Sequence, residues 1–232
     1  MNSLRHFFHT RLAAYLIFTG VLLSLLLGGS LRAAWDFTTI QQQADRLYGR
    51  ATADGEQRIT AWQQLLLQQR NQSEQAQLNA VNLFFNKKLH YREDIDIWGA
   101  IDYWATPVES LRKGEADCED YALAKYFTLR HLGVSGEKLR ITYVKALRQD
   151  RAHMVLTWYA TPDAIPLVLD SLTDNILPAT QRSDLLPVYS FNDSGLWLPG
   201  SQNNKRVGDS KRLSRWQDVL KKMREEGFPI DE

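Results

Sequence analysis

The sequence predicts an α+β protein, with its helices first and its sheet second. Apolar residues recur at helical spacing from Asp36 to Asn86 and again from Tyr121 to Leu132, and short runs rich in β-branched and aromatic residues follow from Leu139 onward. Turn-like clusters, not helices, separate those runs, so the strands are expected to pair antiparallel. A chain of 232 residues with 44% hydrophobic content can fill one good core and carry a smaller appended element. The formal net charge of +1, without a long basic run, argues against nucleic acid as a partner. One cysteine, with no CxxC and no His/Cys cluster, excludes a disulfide framework and a thiolate-ligated zinc.

At the N-terminus, Arg5 and Arg11 precede an apolar run from Leu12 to Leu27, interrupted by Thr19, Gly20 and Ser24. This reads as an export signal, with the basic flank left in the cytoplasm and the remainder carried across the membrane. Gly28 and Ser30 place small residues at both positions a cleavage site requires, and a retained anchor is the alternative. Residues 1–34 are therefore expected to be a signal peptide or membrane anchor, and the rest of the chain periplasmic.

Residues 36–200 form the expected domain. From Asp36 to Asn86 the glutamine-rich sequence interleaves with Trp62, Leu65, Leu66, Leu78, Val81, Leu83, Phe84 and Phe85, the pattern of solvated helix faces backed by a core. Breaks fall at Gly49, at Thr52 to Gly55 and at Asn71 to Ser73, where Ser73 can cap the helix bearing Phe84 and Phe85. Lys87 to Gly114 is irregular and holds Asp94, Asp96, Trp98, Asp102, Tyr103 and Trp104, a candidate cleft wall. Thr106-Pro107-Val108-Glu109 is a capping box with proline at the first helical position, so a short helix should run from there to Gly114.

The lone cysteine lies in Asp117-Cys118-Glu119-Asp120-Tyr121, which opens a helical pattern ending at Gly133. A thiol in the first turn sits where the helix dipole favours the thiolate, the form that attacks carbonyls. The strands Leu139 to Ala146, His153 to Tyr159 and Pro166 to Asp170 follow. A turn centred on Thr161 and Pro162 would set His153 directly opposite Asp170, within reach of an imidazole–carboxylate hydrogen bond. Such a carboxylate fixes the imidazole tautomer, and the other ring nitrogen is then free to take the thiol proton. Cys118, His153 and Asp170 thus form a candidate nucleophile, base and orienting group. Trp98 and Trp104 are candidate oxyanion donors beside the Cys118 backbone N–H.

Several of these segments together resemble a known family. Asp102-Tyr103-Trp104-Ala105-Thr106-Pro107, Asp117-Cys118-Glu119-Asp120-Tyr121, the strand running into His153-Met154-Val155-Leu156, and Pro166 to Asp170 are similar to the bacterial transglutaminase-like cysteine proteinases of the LapG type. The similarity extends from about Val81 to Pro199, including Pro187 to Phe191 and Gly195-Leu196-Trp197. It implies a papain/transglutaminase-like fold, with Cys118 as nucleophile, His153 as base and acid, and Asp170 as orienting group. It also implies a calcium-dependent periplasmic endoprotease, with Ca2+ bound by Asp117 and Glu119 and by Asp120 beside them. The substrate implied is a large surface biofilm adhesin, cut near its N-terminus. The inhibitor implied is the periplasmic domain of an inner-membrane receptor that senses cyclic di-GMP. Many relatives carry glycine before the Asp-Cys pair and asparagine after the last aspartate, where this chain has Ala116 and Ser171. A transglutaminase or amidase with the same triad, or a non-enzymatic calcium-binding module, are the competing functions.

Residues 201–232 are expected to be a polar linker and an amphipathic helix with Leu213, Trp216, Val219, Leu220 and Met223 on one face.

Overall fold

The computed structural model describes residues 34–199 and 206–230. The predicted export or anchor segment lies outside the described residues, apart from its last residue. Among the described residues, no helix is long and apolar enough to cross a membrane.

Three helices open the domain: α1 (Phe37–Tyr48), α2 (Ala53–Gln69) and α3 (Glu74–Lys88). Each starts where a short polar side chain can satisfy a free backbone N–H. Asp36 accepts from Thr38 and Thr39, Thr52 from Gly55, and Ser73 from Ala76, the last as the sequence predicts. Their inward faces bury Ile40, Ile59, Trp62, Leu78, Val81 and Phe85, while Leu83, expected in the core, is exposed. Full burial of one such large side chain contributes about 1.5–3 kcal/mol.

The segment predicted to be irregular contains more order than its composition announces. Strand β1 (His90–Tyr91) pairs in parallel with β2 (Glu115–Ala116), and the short helix α4 (Asp94–Trp98) lies between them in sequence. The expected capping box is present at the start of α5 (Pro107–Lys113), and Gly114 closes that helix at φ 76°, a left-handed conformation that suits glycine. Helix α6 (Cys118–His131) follows β2 directly and is buried from Cys118 to Leu129.

Seven strands form one antiparallel sheet in the order β6-β5-β4-β3-β7-β8-β9. Its centre is β3 (Leu139–Ala146) between β4 (Arg151–Trp158) and β7 (Leu185–Phe191). Outside them lie β5 (Leu167–Leu169), β6 (Leu177–Pro178), β8 (Leu196–Trp197) and β9 (Arg206–Gly208). Helix α6 packs on β4 and β3, burying Leu123, Leu129, Ile141, Met154, Leu156 and Phe191 in a common core. Strand β9 falls within the stretch predicted to be linker: Arg206–Gly208 pairs with β8. Helix α7 (Ser214–Glu225) buries Trp216, Val219 and Met223, with Trp216 stacked on Phe127 at 5.5 Å.

The predicted strand register is off by two residues. Val168 lies opposite Thr157 and Leu169 opposite Leu156, so extending the ladder puts Asp170 opposite Val155, and His153 becomes its diagonal neighbour. A slip of two preserves which side chains share a face, whereas a slip of one would have separated the pair.

Candidate active site

Strand β2 delivers the chain to α6 in a fixed position, because the Arg92 N–H donates to Ala116 O at 3.0 Å immediately before Asp117 and Cys118. The Cys118 thiol donates to Glu119 Oε2 at 3.1 Å, and the backbone N–H of Met154 in β4 hydrogen-bonds to the sulfur. Burial pushes the thiol well above its ordinary pKa, and the charges of Glu119 and Asp117 push it further. The helix-dipole preference for thiolate is therefore overridden by burial and, after it, by the carboxylates that flank the thiol.

His153 and Asp170 meet across the sheet. Nε2 of the buried imidazole lies 2.7 Å from Asp170 Oδ1, and Nδ1 is buried without a hydrogen-bond partner. The same carboxylate accepts from the Leu172 N–H at 3.1 Å and from Arg182 Nη2 at 2.7 Å. Burial works against the ionised form, but hydrogen bonding and charge from His153, then Leu172 and Arg182, lower Asp170 to about 2. Cys118 and His153 line one cleft of about 580 Å³, walled by Tyr91, Asp102, Trp104, Tyr143, Arg151 and Tyr189. Asp170 sits behind the imidazole, outside that lining.

The acidic residues beside the cysteine belong to a larger cluster. Ligand oxygens of Asp94, Asp117 and Asp120 all lie within 4.8 Å of one another, as do those of Asp94, Asp102 and Glu119. Asp94 Oδ2 accepts from the Tyr103 N–H at 2.5 Å and Asp120 Oδ1 from the Ala105 N–H at 2.7 Å. Asp94 Oδ1, Asp117 Oδ1 and Asp120 Oδ2 are buried without partners. Asp117 occupies the N-cap position but makes no side-chain cap bond, so capping does not account for it. Burial and the neighbouring carboxylates raise Asp117 and Asp120 well above the usual range and Asp94 to about 6. Orphaned oxygens converging with little compensating charge fit a hard divalent cation that takes oxygen ligands.

Neither tryptophan is placed to serve as an oxyanion donor. Trp104 Nε1 donates to Asp102 at 3.0 Å, and Trp98, whose N–H has no hydrogen-bond partner, is not among the residues lining the cleft. Sequence reasoning missed Asp94 and Asp102 as members of the cluster, although both stand in the acidic stretch it singled out. It also missed Arg182, an isolated arginine in a turn, for which no pattern gives a signal. Ala116 is buried in β2, and the Ser171 hydroxyl is buried without a partner.

A helix carrying the thiol at its first residue, packed on an antiparallel sheet that supplies a buried histidine–aspartate pair, defines a transglutaminase-like fold. Residues 52–203 match the model of the family described as bacterial transglutaminase-like cysteine proteinase, BTLCP, and the chain belongs to that family. LapG of Legionella pneumophila is 43% identical, with a TM-score of 0.69 over 82% of this chain and 98% of that one. The EGTA-treated structure of that protein gives 43% and 0.71 over the same shares. The calcium-bound structure gives 44% and 0.68 over 82% of this chain and 99% of that one. No curated protein matches the chain.

Proposed function

We propose that this protein is a periplasmic, calcium-dependent cysteine endopeptidase that cuts a large cell-surface biofilm adhesin near its N-terminus. We propose further that the periplasmic domain of an inner-membrane, cyclic-di-GMP-sensing receptor controls it by sequestration. The observation that carries the catalytic reading is the 2.7 Å bond between His153 Nε2 and Asp170, which leaves Nδ1 without a partner in a residue that lines the same cleft as Cys118. Membership of a cysteine proteinase family supports it.

Asp170 holds the Nε2–H tautomer, so Nδ1 is the atom that accepts the Cys118 proton. The thiolate attacks the peptide carbonyl carbon, forming the C–S bond as the carbonyl electrons move to oxygen. The Cys118 backbone N–H, one of the donors at a helix start that lack an intrahelical partner, would stabilise that oxyanion. As the tetrahedral species collapses, the imidazolium returns its proton to the departing amine and the C–N bond breaks. Water, deprotonated by the same Nδ1, then attacks the thioester, and the thiol is regenerated. Hydrogen bonds from His153, the Leu172 N–H and Arg182 keep Asp170 ionised throughout.

Asp117, Glu119 and Asp120, joined by Asp94 and Asp102, are the residues that would hold calcium. Bound there, the ion would supply positive charge that offsets the carboxylates, which add to burial in raising the thiol. A relative solved in a calcium-bound form supports this assignment.

The test incubates purified protein with N-terminal adhesin fragments, with calcium or EGTA, alongside Cys118→Ala. Calcium-dependent cleavage that vanishes in Cys118→Ala is expected. Cleavage surviving the substitution overturns the nucleophile, full activity in EGTA overturns the calcium site, and a cross-linked product mass points to a transglutaminase.

A further inference from the structure

One buried group beside the His–Asp pair has no part in the sequence-based picture. Arg182 lies in the turn after β6, outside the cleft lining, and is 7% exposed. Its Nη2 donates to Asp170 Oδ2 at 2.7 Å and to Asp184 Oδ2 at 3.0 Å, and its Nε donates to Asp184 Oδ1 at 3.1 Å. Asp184 is thus a clamp on the guanidinium, and the guanidinium is a clamp on Asp170. The chain His153–Asp170–Arg182–Asp184 runs from the imidazole through carboxylate and guanidinium to a carboxylate 17% exposed at its side chain.

We propose that Arg182 is a positioning residue for the reaction. Its fork, Nε and Nη2, grips Asp184, and from that fixed position Nη2 donates to Asp170 Oδ2, so that Oδ1 stays aimed at His153 Nε2. The proposal rests on the proteolytic reading given above. Its physical basis is the freedom a lone carboxylate retains. Anchored only through Oδ1, by the Leu172 N–H and the imidazole, Asp170 could rotate about its side-chain bonds and carry the ring with it. A third donor on the second oxygen removes that rotation. Guanidinium suits this task because its paired N–H groups are rigidly coplanar, whereas an ammonium supplies charge without a plane. A misplacement of about 1 Å at reacting groups is enough to lower a rate about 10²-fold.

The test compares Arg182→Met, Arg182→Lys and Asp184→Asn with the wild type. Three readouts are taken: circular dichroism for the fold, steady-state kinetics on an adhesin N-terminal fragment, and the low-field proton resonance of the His153 Nε2–H bond. Arg182→Met is expected to keep the fold, to lower kcat about 10²-fold with KM changed less than about twofold, and to lose the resonance. Arg182→Lys should recover part of kcat, and Asp184→Asn, which leaves both Arg182 and Asp170 in place, should lower it by a smaller factor. A folded Arg182→Met with wild-type kcat and an intact resonance overturns the proposal. If that variant does not fold, Arg182→Lys and Asp184→Asn decide. A lowered kcat at steady KM in both upholds the proposal, and wild-type behaviour in both overturns it. Should the wild type cleave nothing, the proteolytic reading fails by itself, while the resonance still reports whether Arg182 orients the pair.

Discussion

Asp120 and Asp170 are both completely buried, and their surroundings push the two carboxyls in opposite directions. Burial raises both. Around Asp120 the neighbours are Glu119 and Asp94, so the rise is reinforced. Around Asp170 they are His153 and Arg182, and the carboxyl falls to about 2. Burial thus sets the size of the electrostatic problem, and the charge of the neighbours decides its sign. The chain completes one acidic centre with its own cations. It leaves the other incomplete, with oxygens aimed at one another, which is an arrangement that calls for a cation from solution.

The sharpest way to break this contrast is Asp170→Asn. The substitution removes the charge that Arg182 and an imidazolium at His153 both require, and activity should fall about 10⁴-fold, as expected when an orienting carboxylate becomes an amide. Stability should fall by about 3–5 kcal/mol in urea unfolding, because a buried guanidinium loses a partner. A loss below about 1 kcal/mol would mean that Asp184 alone satisfies Arg182.

Next in size is a pH effect beneath the completed centre. Lys125 is fully buried, donating to Asn82 Oδ1 and Asn86 Oδ1 at 2.8 Å, while Asn86 in turn donates to the backbone oxygens of Asp170 and Thr173. Burial lowers it to about 7 against the pull of Asp170 and Asp174. Between pH 7 and about 10.4 the unfolded chain holds a proton there that the folded chain has lost, so this group's contribution to stability rises with pH over that window. The stability difference between wild type and Lys125→Met should therefore shift in favour of the wild type by up to about 4 kcal/mol from pH 7 to pH 10. Urea midpoints at both pH values measure it, and a constant difference would show that the buried amine stays charged.

Asp120→Asn probes the incomplete centre and should behave oppositely to Asp170→Asn. In EGTA the variant should be as stable as the wild type or more stable, since the amide replaces a buried carboxyl that burial and its acidic neighbours already push toward the neutral form. Calcium at about 100 times its Kd should add about 2.7 kcal/mol to the wild type and much less to the variant. An equal calcium response, read by thermal unfolding, would remove Asp120 from the ligand set.

These centres were not equally legible in the sequence. Helix starts at Ser73 and Thr106 could be placed because the cap and its target are three residues apart, which is local information. Strand β3 could be read from Leu139 to Ala146 for the same reason. The His153–Asp170 pair was anticipated by strand alternation, which survives a register error of two residues but says nothing about what stands behind the carboxylate. Arg182 arrives from a turn and Asp94 from the start of the short helix α4, at positions that depend on the completed sheet and on the β1–β2 pairing, and two-residue strands leave almost no periodicity to detect. Strand β9 escaped detection because Arg206–Gly208 carries a single β-former, and pairing with β8 alone makes it a strand.

The smallest predicted effect separates stability from affinity at the rim of the acidic centre. Arg215 in α7 donates from Nε to Asp102 Oδ2 at 3.1 Å, with both side chains 50% exposed. An exposed pair of this kind gives back most of its attraction to solvent screening and side-chain ordering, so Arg215→Ala should change unfolding stability by less than about 0.5 kcal/mol. Asp102, however, groups with Asp94 and Glu119. The guanidinium and a calcium ion compete for the same carboxylate, so its removal should tighten calcium binding a few-fold in a titration while the urea midpoint stays in place. Weaker binding would reverse the assignment: Arg215 would then be orienting Asp102 toward the ion, and the rim would belong with the centre that the chain completes for itself.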